Sequence, residues 1–503
     1  MDPAAQPSEP AVPPDQSSGA TAPSPAPNVL DSQFLAAYAK RALVIDCPSM
    51  QLTQCGAAKG RQYVGRGMIA WDGADQFTFR LYADPGTQGR YASEVIEEIA
   101  EVHSAGFIPD NHYFELASKD LAGRAWSCPK ARIKVHGHIA SGVVVTGTLE
   151  RPLVNRSSAY DVAKESVLHI YFFNDLEVPF EKIVETQQDA NGQTTRIALK
   201  DGPTEFEADG VKFQITKADP EKGGVVLMAW VDAKTLPQGL ETRALEALRY
   251  VTHSMVYMCI VQKWEAGRLT TIVAPHQPVV QSFFRQPLPA HLQDRDFWEL
   301  FKAYFAHVSK RQGHNDLHPL SIALLRVITA DTKQLDVLGM LISVAVEGVL
   351  KAEFPDVAKP TSEFIGSLDQ ITSVIDGATD TDPDVKSRLL GSVNAMKLSR
   401  PKDKFKVLVL SRVITPEMVD AWNAVRNATA HADSYGPAHD IRDVLRKYWK
   451  IQVLLNRLVF QAIGYSGRYY DYAAQGGSPI VQFTPVTLDV AKCGNSEESE
   501  PHE

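Results

Sequence analysis

Near the C-terminal end of the chain, the run Trp422-Asn423-Ala424-Val425-Arg426-Asn427-Ala428-Thr429-Ala430-His431 places a guanidinium, a carboxamide and an imidazole close together. An imidazole, with an ordinary pKa near 6.5, exchanges a proton at cellular pH, while a guanidinium stays charged and can clamp two phosphate oxygens through its fork. The two supply a proton acceptor and an anion clamp. Asn427 lies four residues before His431, which on a continuing helix puts both on one face, where the amide can hold the ring in one tautomer. Arg426 and His431 are five apart, about 140° on an ideal helix, so a single motif does not converge and a second copy could complete it.

Further candidates surround this run. Glu347 sits in the middle of a strongly apolar helix, where an ionised carboxylate is costly unless paired; a solvent-facing place on a partly exposed helix is the other reading. Over 440–463, Arg442, Arg446, Lys450 and Arg457 fall within about 80° of one another, with Val444, Tyr448, Ile451, Leu455 and Val459 on the opposite arc. This basic stripe can track a nucleic-acid backbone, or it is a solvated face; the run Arg400, Lys402, Lys404, Lys406 and Arg412 offers the same two readings. His314 and His318 have the spacing of a metal pair, but no H-E-x-x-H accompanies them and Pro319 follows, so no metal is expected there. Neither G-x-x-x-x-G-K-[ST] nor G-x-S-x-G occurs, which excludes a P-loop ATPase and a nucleophile elbow at the level of motif.

The W-x-x-x-R-N-x-x-x-H core resembles the motif of HEPN-domain ribonucleases. With the apolar helix bearing Glu347 and the ending Ile463-Gly464-Tyr465-Ser466-Gly467, the pattern over 295–472 is similar to the ApeA-type proteins of bacterial abortive infection. The resemblance implies a β-rich N-terminal domain before a helical nuclease domain. It implies an endoribonuclease without a cofactor, in which Arg426 and His431, supported by Asn427 and by Glu347, assist attack of a 2′-hydroxyl on its phosphate. It further implies a homodimer in which two motifs meet through the C-terminal domain, an RNA substrate with transfer RNA as a candidate, and a phage-derived trigger acting on the N-terminal domain. A dimerising or RNA-binding module without catalysis is the alternative.

The elements that must position these residues follow from composition and pattern. A chain of 503 residues exceeds one ordinary core. With 44% hydrophobic and 22% charged residues it has the composition of a globular protein. Its five cysteines are scattered and never spaced as CxxC, which disfavours a zinc ribbon or a disulfide scaffold and fits a reducing, cytoplasmic setting. The net charge of −9 hides a segment, 386–468, with 15 Lys and Arg against 6 Asp and Glu, a local +9 that leaves −18 elsewhere. Such asymmetry suits a local phosphate-binding surface. Residues 1–30 read as a disordered Pro-rich tail, 31–275 as a β-rich sensor domain, 276–294 as a linker, 295–472 as the helical domain and 473–503 as a second tail. Alternation at Phe77, Phe79 and Leu81 and at Val211, Phe213 and Ile215 predicts strands. Helices are predicted at 93–103, at 241–251, over 297–312, from near Asp331, and over 383–396, 416–430 and 440–463. The fold class is therefore α+β and multidomain. The apolar run 337–346 is too short for a bilayer, and no membrane partner is expected.

Overall fold

The structure, a computed structural model, describes residues 30–56, 60–84, 109–138, 142–158, 166–173, 176–188, 194–218, 224–277, 280–288, 294–311, 316–330, 334–379, 381–430, 440–474, 477 and 479–488. The Pro-rich segment 1–29, the helix predicted over 93–103 and His431 lie outside them. Six antiparallel strands in the first third of the chain, β1 (Leu43–Gln54), β2 (Gln62–Trp71), β3 (Thr78–Ala83), β4 (Phe114–Lys119), β5 (Ala125–His138) and β6 (Gly142–Leu149), pair in the order β1-β2-β3-β6-β5-β4. The pairing of β4 back onto β1 closes them into a barrel. Alternation sends Ile45, Leu52, Ile69, Trp71, Phe79, Leu81, Leu116 and Trp126 into its core. Gly147 makes one closing contact possible, because a Cβ there would stand 1.8 Å from the Arg132 carbonyl and 2.8 Å from the Phe79 ring. Helix α1 (Ser32–Ala39) adds to the same core, stacking Tyr38 on Trp71 at 4.9 Å and donating the Tyr38 hydroxyl to the Ala274 carbonyl.

Beyond the barrel the sheet continues through seven more strands, in spatial order 153–158, 268–273, 260–265, 166–172, 225–231, 211–217 and 204–208. Asp209 and Gly210, both at positive φ, form the two-residue turn that joins the last pair. At its middle strands this extension is a wall with a core on each side. Leu168, Ile170 and Phe172 pack with the helices, whereas the intervening Tyr171 packs into the barrel core; Val225 and Leu227 face one way and Val226 the other. The segment 276–294, read from sequence as a linker, contributes buried Phe284 and Leu288 to the helical core.

Helix α2 (Leu240–Thr252) covers the wall, and eight helices follow among the described residues: α3 (Asp294–Ser309), α4 (Pro319–Ile328), α5 (Leu335–Glu353), α6 (Ser362–Gly377), α7 (Pro383–Met396), α8 (Pro401–Leu410), α9 (Pro416–Ala430) and α10 (Ile441–Ile463). An aromatic seam joins sheet to helices, where Phe206 stacks on Trp298 at 4.8 Å and Phe213 meets Phe305 at 5.0 Å, and continues between α2 and α3, where Tyr250 stacks on Tyr304 at 4.7 Å. The architecture is thus α+β, with an antiparallel β-barrel region followed by a helical region. Past 472 the chain forms a strand, Ile480–Phe483, paired with Gly467–Tyr470, and Phe483 is buried beside Phe460. No helix among the described residues is long and apolar enough to cross a membrane. Trp71 and Trp126 are core residues of the barrel.

Two buried histidines make this fold acid-sensitive. His169, on the wall against Trp264 at 4.7 Å, and His253, the C-cap of α2, are each pushed by burial down to about 4 from an ordinary value of 6.5. The unfolded chain takes up these protons at higher pH than the folded one, so stability falls as pH drops from about 6.5 toward 4, by roughly 2–4 kcal/mol per histidine. Urea midpoints measured across that window should fall with pH, and less steeply for His169→Gln than for the wild type. Parallel curves for the two proteins would contradict this assignment.

Candidate functional site

Helix α9 is anchored by a single apolar stripe. Met418, Ala421, Trp422 and Val425 are buried at spacings of three and four, and Trp422 meets the Phe405 ring edge-on at 4.9 Å. That stripe fixes the rotation of the helix, leaving Arg426 and Asn427 exposed on its last turns. Helix α5 is held more deeply: Leu338, Ile342, Ala345, Val346, Val349 and Leu350 are buried, and at Gly348 an added Cβ would stand 2.9 Å from the Ala323 side chain. Glu347, half-buried next to that contact, therefore projects from the best-packed of these helices.

The two helices bring Glu347 to Arg426. Arg426 Nε donates to Glu347 Oε1 at 2.6 Å, and the guanidinium carbon lies 5.5 Å from the Trp422 ring centroid. The arginine is thus held between a carboxylate on one helix and an indole on its own. Its side chain is 46% exposed and that of Glu347 35%. An ion pair so open to solvent contributes about 0–1 kcal/mol to stability, so its main physical effect is to orient the guanidinium. Such a group can receive an anion.

Helix α10 keeps its predicted buried arc, with Val444, Tyr448, Ile451, Leu455 and Val459 inside, and Asp440 caps it by accepting from the Arg442 amide at 2.9 Å. Its four cations have different settings. Arg442 is exposed, and Arg446 pairs with Asp443 one turn back at 2.7 Å. Lys450 is half-buried and helps hold the Glu417 carboxyl below its usual range, after the larger effect of a hydrogen bond from Thr415. Arg457 donates to the Arg412 carbonyl at 3.1 Å and lies over the Phe483 ring at 5.7 Å, so it fastens the C-terminal strand. In the run after Arg400, Lys404 is buried and donates to the Leu350 carbonyl at 3.0 Å, and burial pushes its ammonium pKa down. It closes the end of α5.

Sequence reasoning sets His318 beside His314, which lies outside the described residues. The structure instead gathers His318 with His307 and Glu353, the three such groups close enough among the described residues to hold a metal ion. They come from three separate helix ends, and no spacing in the sequence announces them. Compared with protein-family models, with curated proteins and with solved structures, the chain matches none.

These settings separate cations that hold the fold from cations that face solvent. Arg457→Ala and Lys404→Ala should each lower the unfolding free energy by about 1–3 kcal/mol, since each strips a partner from a backbone carbonyl and removes packing. Arg442→Ala and Arg446→Ala should stay within about 0.5 kcal/mol of wild type. Urea unfolding of the four variants tests the division, and equal losses in all four would erase it.

Proposed function

We propose that this chain is a HEPN-type endoribonuclease that cleaves RNA without a divalent metal and acts in bacterial defence against phage. The observation that supports the reading best is the contact of Glu347 with Arg426, which holds an exposed guanidinium in a fixed orientation a few residues before His431.

In this reading Arg426 clamps two oxygens of the scissile phosphate and offsets the charge that gathers on them during attack. His431 takes the proton from the 2′-hydroxyl, whose oxygen then bonds to phosphorus as the bond to the 5′-oxygen breaks. The products are a 2′,3′-cyclic phosphate and a 5′-hydroxyl, the leaving oxygen taking its proton from a second imidazole. Because Arg426 and His431 diverge by about 140° on an ideal helix, that second imidazole belongs to another copy of the chain, and the active species is a homodimer. Asn427 holds the histidine ring in one tautomer. Glu347 is a positioning residue acting through Arg426. Transfer RNA is the candidate substrate, and the barrel region is the candidate sensor of a phage-derived trigger.

The same contact also fits a binding module that grips RNA without cutting it, and one gel separates the two. Purified protein incubated with total RNA in EDTA should produce fragments ending in 2′,3′-cyclic phosphate or 3′-phosphate. Arg426→Ala and His431→Ala should each bring them below detection on the gel, with an unchanged circular dichroism spectrum. Fragments ending in 3′-hydroxyl, activity lost to EDTA while the protein stays folded, or intact RNA that is nonetheless bound would each overturn the nuclease reading.

A further inference from the structure

Away from Arg426, three helix ends converge. His307 comes from the last turn of α3, His318 is the N-cap of α4, and Glu353 is the last residue of α5. Their side chains are only 16%, 13% and 8% exposed. One ligand atom from each lies within 4.8 Å of those of the other two. His307 Nε2 is 2.8 Å from Glu353 Oε2, and His318 Nδ1 is 3.8 Å from Glu353 Oε1.

The protonation of His318 makes this grouping more than an ion pair. Its Nδ1 accepts the Leu320 amide at 3.2 Å, so that nitrogen brings no proton to the Glu353 oxygen 3.8 Å away. Two such acceptors in a half-buried setting are unfavourable unless a cation lies between them. The surroundings tolerate one. Of the cations near His318, Arg243 is neutralised by buried Glu246 at 2.7 Å, and Arg311 is exposed. Glu246 also accepts the His318 amide, and Arg243 donates to the Asp316 carbonyl at 3.0 Å, which fixes the backbone that carries the imidazole.

We propose that His307, His318 and Glu353 form a binding site for a divalent transition metal of the zinc class, joining the ends of α3, α4 and α5. Two imidazoles and one carboxylate are a donor set that zinc takes in tetrahedral geometry at about 2.0–2.2 Å, leaving one position to water. The gaps between the present ligand atoms require side-chain rotations of about an ångström to reach it. Ligation takes the Nδ1 lone pair from the Leu320 amide, an N-cap contact worth about 1 kcal/mol, which a structural zinc outweighs several-fold. Glu353 lies six residues beyond Glu347 on α5, about 9 Å along the axis, so this site is separate from the Arg426 contact and does not depend on the ribonuclease reading. Its role is to clamp the helix that carries Glu347.

The test uses the full-length chain stripped with EDTA and titrated with zinc ion alone, by calorimetry and by thermal unfolding. His318→Asn keeps a good N-cap acceptor while removing the imidazole, and Glu353→Gln keeps an acceptor for His307 while removing the charge. Wild type should bind one equivalent and melt higher in zinc than in EDTA. Both variants should bind at least about tenfold more weakly and melt alike in the two buffers. Melting of His318→Asn in EDTA at the wild-type temperature shows that lost binding is not lost folding; should Glu353→Gln fail to fold, His318→Asn decides alone. A wild type that zinc does not stabilise, or variants that keep wild-type affinity, overturns the proposal.

Discussion

The three middle strands of the wall, 166–172, 225–231 and 260–265, expose no residue to solvent, and the rest of the molecule is arranged around that fact. A sheet buried on both sides must satisfy two cores at once, and period-two alternation does so by sending Ile170 to the helices and Tyr171 to the barrel from the same strand. One consequence is that the barrel and the helical region cannot be independent bodies on a tether. A second is that β5, which pairs with β4 and β6 in the barrel, also pairs with 153–158 of the wall, so barrel closure and wall formation share one strand.

The wall orders the helices in turn. Aromatic contacts of Phe206 and Phe213 with Trp298, Phe301 and Phe305 fix α3, and the buried Arg243–Glu246 pair on α2 fixes the approach to α4. Breaking such a buried pair by removing one partner leaves an uncompensated charge, at a cost of about 3–5 kcal/mol. Helix α5 then packs against α4 at Gly348 and presents Glu347 to Arg426. The chain of positioning therefore runs from a rigid interior to a weak, solvent-exposed ion pair at its end. An interaction that adds so little stability matters for where it holds a guanidinium.

Local signals made much of this legible in the sequence. Prolines at the first helical positions and three-four periodicity gave α7 and α9 their bounds, and Asp440 with Gly464 marked the ends of α10. Glu347 stood out because a carboxylate in an apolar helix needs a partner, and Arg426 is that partner. What was not legible is non-local. Closure of β3 on β6 and of β4 on β1 joins strands far apart in the chain, and no pattern within a strand names its neighbour. Helix α6 is not legible in the sequence because Phe364, Ile371 and Val374 are exposed, so its apolar residues do not form the buried stripe that periodicity detects. The His307, His318 and Glu353 cluster was invisible for the same reason as the barrel closure. Arg457 and Lys404 looked like surface cations because charge patterning does not distinguish a head group in water from one donating to a backbone carbonyl of another element.

The central claim is that Glu347 acts on RNA cleavage only through Arg426. Single-turnover cleavage rates of wild type, Glu347→Gln, Arg426→Ala and the double variant test it directly. The account predicts that Glu347→Gln cleaves about two- to fivefold more slowly than wild type, and that the double variant is no slower than Arg426→Ala alone. Wild-type rates in Glu347→Gln, or losses that multiply in the double variant, would contradict it.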